Sequence, residues 1–227
     1  MGFDVGFIIQ VMPDLLHGLL VTLEVGLISL LIALVIGVVG AAIVSLKIPV
    51  LYQILTVYVE IFKNTPILVQ IFFIYFGLPS IGIVLSEFAT GILEFSLWGG
   101  AFAIDNFSGG FNAVPKQLRD AGEALGMTKL QVYLHVIIPI GFRTSFPAFG
   151  NTALSIVKCT NYLAGIGLFE LTKTAMQYVT QNFKAAEMFF AMAVLYLAVV
   201  SIMTVIFGKI EKCLKHQTRR GGNVISN

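Results

Sequence analysis

Charge is what this chain has least of. Of its 227 residues, 11% are Asp, Glu, Lys or Arg, against 57% hydrophobic, and the mean hydropathy is +0.91. Soluble domains carry about 25% charged residues, so a chain this poor in charge could not keep an ordinary surface wet. A soluble globular fold is excluded on that ground. The two cysteines, Cys159 and Cys213, give no disulfide framework. The histidines, His17, His135 and His216, lie far apart without ligand spacing, so no metal site is expected. A phosphate-cradling GxxxxGK[ST] pattern is absent, and with it that route to nucleotide hydrolysis. The chain therefore reads as a non-enzyme. A net charge of +2 without a basic–aromatic patch gives no ground for nucleic-acid binding. The first basic residue is Lys47, so the charged start of a signal peptide is also missing. With no internal repeat and no long linker, residues 1–227 read as one transmembrane domain.

What the chain has instead is apolar runs of membrane-crossing length. About 20 helical residues cross a core of about 30 Å. On that measure the spans fall at 18–44, 51–78, 91–108, 142–165 and 185–208, an all-α integral membrane bundle of about five helices. The third is the most dilute, since Gly99, Gly100, Asp105 and Asn106 interrupt it. Ten of the 14 basic residues fall near Lys47, within 109–143 or after 208. Cytoplasmic loops collect Lys and Arg, so the N-terminus is expected outside and the C-terminus inside. Residues 1–17 then read as an interfacial helix on the outer surface, and 209–227 as a basic cytoplasmic tail. The 19 phenylalanines read as lipid contacts and packing, and the small residues of Gly37–Ala41 as a place where helices approach closely.

One polar segment interrupts the apolar pattern. Val114 to Pro139 reads VPKQLRDAGEALGMTKLQVYLHVIIP, and 109–140 is expected to be cytoplasmic. Pro115 suits the first turn of a helix. From there Leu118, Ala121 and Leu125 share one side, with Lys116, Arg119, Asp120 and Glu123 on the other. Gly126 ends that helix, and Thr128 caps a second one leading to Pro139. A further break stands at Thr65–Pro66, where proline removes a helical hydrogen bond and pushes its predecessor out of the α region. Glu60 and Lys63, at i and i+3, are placed to pair and fix that bend. Lys158 lies inside a span, where a lysine is costly and either faces a cavity or an anionic partner or snorkels outward.

These residues carry a resemblance. Asp120-Ala121-Gly122, then Gly126 after three residues, then Val136-Ile137-Ile138-Pro139 after nine, is similar to the cytoplasmic Glu-Ala-Ala…Gly…Ile-x-Leu-Pro signature of ABC importer permeases. Tyr58 to Pro79, YVEIFKNTPILVQIFFIYFGLP, resembles the branch of that family that imports polar amino acids. Lys158-Cys159-Thr160-Asn161 stands where the family shows Lys-Asp-Thr-Ser, and Asp105 stands where it shows Glu. The segment 99–113 resembles the family least.

The resemblance implies a type I importer permease fold in a bacterial inner membrane. It also implies two cytoplasmic ATPase subunits carrying ATP and Mg, a second permease copy or paralogue, an extracytoplasmic solute-binding protein and an amino-acid substrate. Under it, Pro115, Asp120, Ala121, Gly122, Glu123, Gly126 and Pro139 couple the chain to the ATPase. Lys158, Thr160, Asn161, Asp105 and Thr65 line the substrate pathway, while Glu60, Lys63 and Pro66 form a structural bend. Loss of the family's Asp at Cys159 points to a neutral or anionic amino acid. The rival classes are an ion-coupled secondary transporter, which usually shows internal repeats, and a non-transporting membrane scaffold.

Overall fold

The computed structural model describes residues 3–222, with side chains to Leu214. The basic positions Lys215, Arg219 and Arg220 of the expected tail lie outside the described side chains. Among the described residues every regular element is helical.

Helix α1 runs Val5–Ser45 without interruption. Asp4 caps it, accepting from the Phe7 N–H at 3.0 Å. At roughly 1.5 Å per residue it is about 60 Å long, twice a hydrocarbon core. The structure thus sets no boundary at residue 17, and the expected interfacial segment forms the first turns of α1. The reason lies in packing. Ile8, Val11 and Leu15 recur on one face and are buried against Leu171, Ala175 and Met188, so protein rather than headgroups covers that stripe.

The expected second span, 51–78, is two helices. α2 (Leu51–Asn64) and α3 (Ile67–Phe72) meet at 107°. Thr65 and Pro66 between them are extended, at ψ 143° and 129°. After α3 the chain widens into a π turn at Phe73–Gly77 and tightens into a 3₁₀ turn at Leu78–Ile81. A second π turn, Tyr133–Ile137, stands in the same relation to Pro139 as the first does to Pro79. The cause is shared. Proline two residues past the turn has no N–H for the carbonyl four residues back, and its ring pushes that carbonyl away, so the ladder opens there.

α4 (Glu87–Asn112) starts at a Ser86 cap and is the centre of the bundle. α1 packs along one side of it and α7 (Ile138–Cys159) along another. A Cβ at Gly37 would collide with Ala103, and one at Gly110 with Ser145, so these backbones meet through small residues. Asn106 donates to the Thr152 hydroxyl at 2.9 Å and sets the level of α4 against α7.

Three helical stretches, Val5–Ser45, Lys129–Ile166 and Ala185–Leu214, are long and apolar enough to cross a membrane, and the bent pair makes a fourth. α4, which holds the expected third span 91–108, is not among them. Packed against α1 and α7 on two sides, it carries buried glycines, serines and Glu94 along those contacts.

Two further elements complete the chain. α8 (Leu171–Asn182) fills what reads in sequence as an outer loop, and α9 (Ala185–Gly222) joins the last span and the start of the tail into one helix. α5 (Lys116–Ala124) and α6 (Lys129–Val132) lie between α4 and α7.

Candidate functional site

α5 and α6 form a compact elbow with a tight stop and a capping box between them. Pro115 stands just before α5 at ψ 137°. At the other end Gly126 adopts φ +81°. Its N–H donates to the Glu123 carbonyl at 2.9 Å, and the Met127 N–H to the Gly122 carbonyl at 3.1 Å. That pair of bonds is a Schellman stop, which requires a left-handed residue where Gly126 sits. Thr128 and Gln131 then cap α6 reciprocally. Gln131 N–H donates to the Thr128 hydroxyl at 3.3 Å, and Thr128 N–H to the Gln131 side chain at 2.8 Å.

The sequence divides α5 into an apolar and a charged side, and the structure leaves residues of both exposed. Of the α5 residues, Gly122 is the buried one, pressed against Val132. Arg119, expected on the solvated side, turns inward and donates to the Phe111 carbonyl at 2.8 Å. Leu118 is 43% exposed and Leu125 is 83% exposed, beside exposed Asp120, Ala121 and Glu123. The apolar stripe of α5 therefore points away from the bundle, together with its acids. Gly122 stands where the family signature has alanine, and it lets α5 approach Val132, where an added Cβ would come within 3.0 Å.

The bend at Thr65–Pro66 is held differently from the expected Glu60–Lys63 pair. Lys63 instead forms an ion pair with Asp105 of α4, and its ammonium lies 5.7 Å from the Phe102 ring centre. Glu60 accepts from Asn64 at 2.7 Å. The cause is that α2 packs against α4, which offers Lys63 a carboxylate across the helices. Gln70, which sequence reading passed over, closes the bend. Its amide donates to the Phe62 carbonyl at 3.1 Å, the Thr65 carbonyl at 3.0 Å and the Thr65 hydroxyl. Thr65 in turn donates to Ile61 at 2.7 Å. Asp105 and Thr65, both expected in the pathway, are thus engaged in holding the broken segment.

Lys158 and Asn161 are exposed around the end of α7, whereas Thr160 is fully buried and donates back to the Val157 carbonyl at 2.8 Å. Thr160 does not line an open surface. The 3₁₀ turn Thr160–Ile166 packs through Gly165 against Phe72 and Leu68, which brings it beside α3 just past the bend. Asp105 does not join this group. Its neighbour Asn106 is level with Thr152, six residues or roughly 9 Å along α7 from Lys158.

Two fully buried acids escaped the sequence reading. Glu170 caps α8, accepting from the N–H groups of Thr172 at 2.9 Å and Lys173 at 2.8 Å and from Tyr196 at 3.2 Å. Glutamate is not a common cap, so only the Thr-Lys-Thr run after it hinted at a helix start. Glu94, in the middle of α4, is fully buried, and neither oxygen has a hydrogen-bond partner among the described residues.

Comparison with known proteins places these features. A family model described as "Binding-protein-dependent transport system inner membrane component" matches residues 33–216. "Probable amino-acid permease protein YxeN" of Bacillus subtilis is 31% identical over 219 residues, covering 95% of this chain and 98% of that protein. "Glutamine transport system permease protein GlnP" of Escherichia coli K12 is 30% identical over 217 residues, covering 95% and 99%. Among solved structures, "Crystal structure of an amino acid ABC transporter with histidines" superposes with a TM-score of 0.86 at 24% identity, covering 93% of this chain and 99% of that one. With most of its length inside the family model and nearly full-length relatives at 30% identity or more, the chain belongs to the inner-membrane permease components of binding-protein-dependent transport systems.

Proposed function

We propose that this chain is the membrane-spanning subunit of an ATP-driven amino-acid importer in a bacterial inner membrane, with its N-terminus outside and its C-terminus inside. It forms the translocation pathway with a second copy or a paralogue. Cytoplasmic ATPase subunits, which bind ATP and Mg, supply the energy, and an extracytoplasmic solute-binding protein delivers the substrate. The observation that carries this is the outward face of α5. The nine-residue helix and the stop that follows it hold Leu118, Leu125, Asp120 and Glu123 exposed among the described residues. An apolar stripe left open on a helix this short needs a partner, and a groove on an ATPase is one that fits. Closure of the ATPase pair on nucleotide then moves α5 and, through it, the spans, by differential affinity for the two states.

Amino-acid import is supported by the names of relatives, one for glutamine and one for an amino acid unspecified. Exposed Lys158 and Asn161, next to the turn that packs on α3, supply a cation and an amide for a carboxylate-bearing substrate. The test is uptake by the reconstituted complex. Vanadate-sensitive uptake that requires ATP supports the reading. Uptake driven by a proton or sodium gradient alone refutes it in favour of a secondary transporter, and partner binding without uptake refutes it in favour of a scaffold.

A further inference from the structure

We infer that Arg119 is a strut that braces the bend between α4 and α5, so that a push on α5 reaches α4 instead of being lost at the joint. This matters only if an ATPase grips α5, as proposed above. The covalent link between the two helices is short and angular. Ala113 closes α4, Val114 is buried in the core, and Pro115 is extended. Apart from that link, α5 packs on α6 and the π turn that follows it, elements that lead to α7. Towards α4 it reaches with the Arg119 side chain, whose guanidinium donates across eight residues to the Phe111 carbonyl.

That carbonyl is a well-chosen anchor. It belongs to the last turn of α4, where carbonyls have no partner within their own helix, and where a cation complements the helix dipole. Phe111 itself is immobilised. Its ring is fully buried and packs edge-on to Tyr133 at 6.0 Å and against Phe107 at 6.4 Å. Behind it, a Cβ on Gly141 would fall within 2.9 Å of the Phe111 backbone, so α4 and α7 touch at this point. The joint is thereby triangulated. α5 is fixed through Gly122 to Val132 of α6, which leads by the π turn into α7; it is fixed to α4 through Arg119, and α4 to α7 through Phe111 on Gly141. A triangle of this kind transmits force, whereas the same joint without its third side is a hinge.

The experiment compares the full complex carrying the unmutated chain with complexes carrying Arg119→Met and Arg119→Gln. Methionine keeps much of the aliphatic stem and removes the donor, and glutamine keeps one uncharged donor. Uptake per ATP hydrolysed is expected to fall about tenfold for Arg119→Met and less for Arg119→Gln, with copurified ATPase at unmutated levels. Backbone amide exchange at Ala113, Val114 and Lys116 is expected to speed up in the same order. An unchanged ratio of uptake to hydrolysis overturns the strut. So does a fall of both in proportion to the amount of complex recovered, which marks Arg119 as a helix cap alone. If Arg119→Met cannot be recovered, Arg119→Gln and Arg119→Lys are judged by the same ratio, and values equal to the unmutated chain overturn the strut. Absence of ATP-driven uptake by the unmutated complex overturns the reading of α5 itself, and the strut with it.

Discussion

Gly126 is the position where one atom separates a working elbow from a broken one. Its φ of +81° lies in the left-handed region, and the space around a Cβ there is empty to 4 Å. Replacing it with alanine therefore meets no neighbour, and the whole cost falls on the backbone, about 1–2 kcal/mol for an L-residue held left-handed. That is a factor of about 5–30 in the population of the turned state. Asparagine tolerates the left-handed region better and costs less. Proline is worst, because its φ is locked near −65° and it lacks the N–H that donates to Glu123. The expected order of ATP-driven uptake by the reconstituted complex is Gly, then Asn, then Ala, then Pro. ATPase copurification follows the same order, because the elbow sets the direction in which Leu118 and Leu125 are presented. Alanine or proline matching glycine in both assays would show that the turn at Gly126 carries no function and refute the reasoning.

The remaining predictions concern the rest of the site. Asp105→Lys places two cations side by side and is expected to reduce uptake at least severalfold, while the swapped pair Lys63→Asp with Asp105→Lys recovers most of it. Both side chains are about a third to a half exposed, so the pair itself contributes no more than about 1 kcal/mol, and no recovery in the swap would deny it a role in holding the bend. Lys158→Ala is expected to change the half-saturating substrate concentration without loss of complex, and unchanged uptake kinetics would remove Lys158 from the pathway. An ion pair of Lys184 with Asp4 at 3.2 Å clasps the start of α1 to the residue before α9, and it has a defined pH window. Asp4 is held below the usual carboxylate range by the Phe7 N–H and then by Lys184, and Lys184 is pushed up by its hydrogen bond to Asp4. The Asp4 contribution is therefore present above the ordinary carboxylate value and lost as pH falls through its lower folded value. The Lys184 contribution is present below the ordinary lysine value and lost as pH rises through its higher folded value. Amide protection at Phe7 should hold between about pH 5 and 9 and drop in acid, and protection in Asp4→Asn equal to that of the unmutated chain would contradict the clasp.

What could be read in the sequence was local. Thr65–Pro66, Gly126 and Thr128 act through their own dihedral angles and the nearest few N–H groups, and the structure shows a bend, a stop and a cap at those places. What failed depended on neighbours distant in sequence. Lys63 has Glu60 one turn away but pairs with Asp105, 42 residues on, because of how α2 packs on α4. Arg119 looks solvated by helix periodicity, but its partner is a backbone carbonyl, which leaves no mark in sequence. α4 looks dilute as a span because of its glycines, and those glycines are where α1 and α7 pack closely on it. Thr160 is buried although Lys158 and Asn161 close to it are exposed, and it is the first residue of the 3₁₀ turn after α7. The two proline-linked π turns were open to reading, since both prolines are plain in the sequence, but their effect on the ladder was not drawn from them.

The most direct measurement places a single cysteine at Leu125 in a chain whose Cys159 and Cys213 are replaced by serine. Leu125 is the most exposed apolar residue of the elbow, so the cysteine adds reactivity without disturbing packing. In intact cells it should resist a membrane-impermeant thiol reagent until the membrane is opened, and with a short crosslinker it should yield an adduct with the ATPase whose amount changes with nucleotide. Labelling from outside intact cells, or the lasting absence of any ATPase adduct, would contradict the account that α5 is the part an internal motor grips.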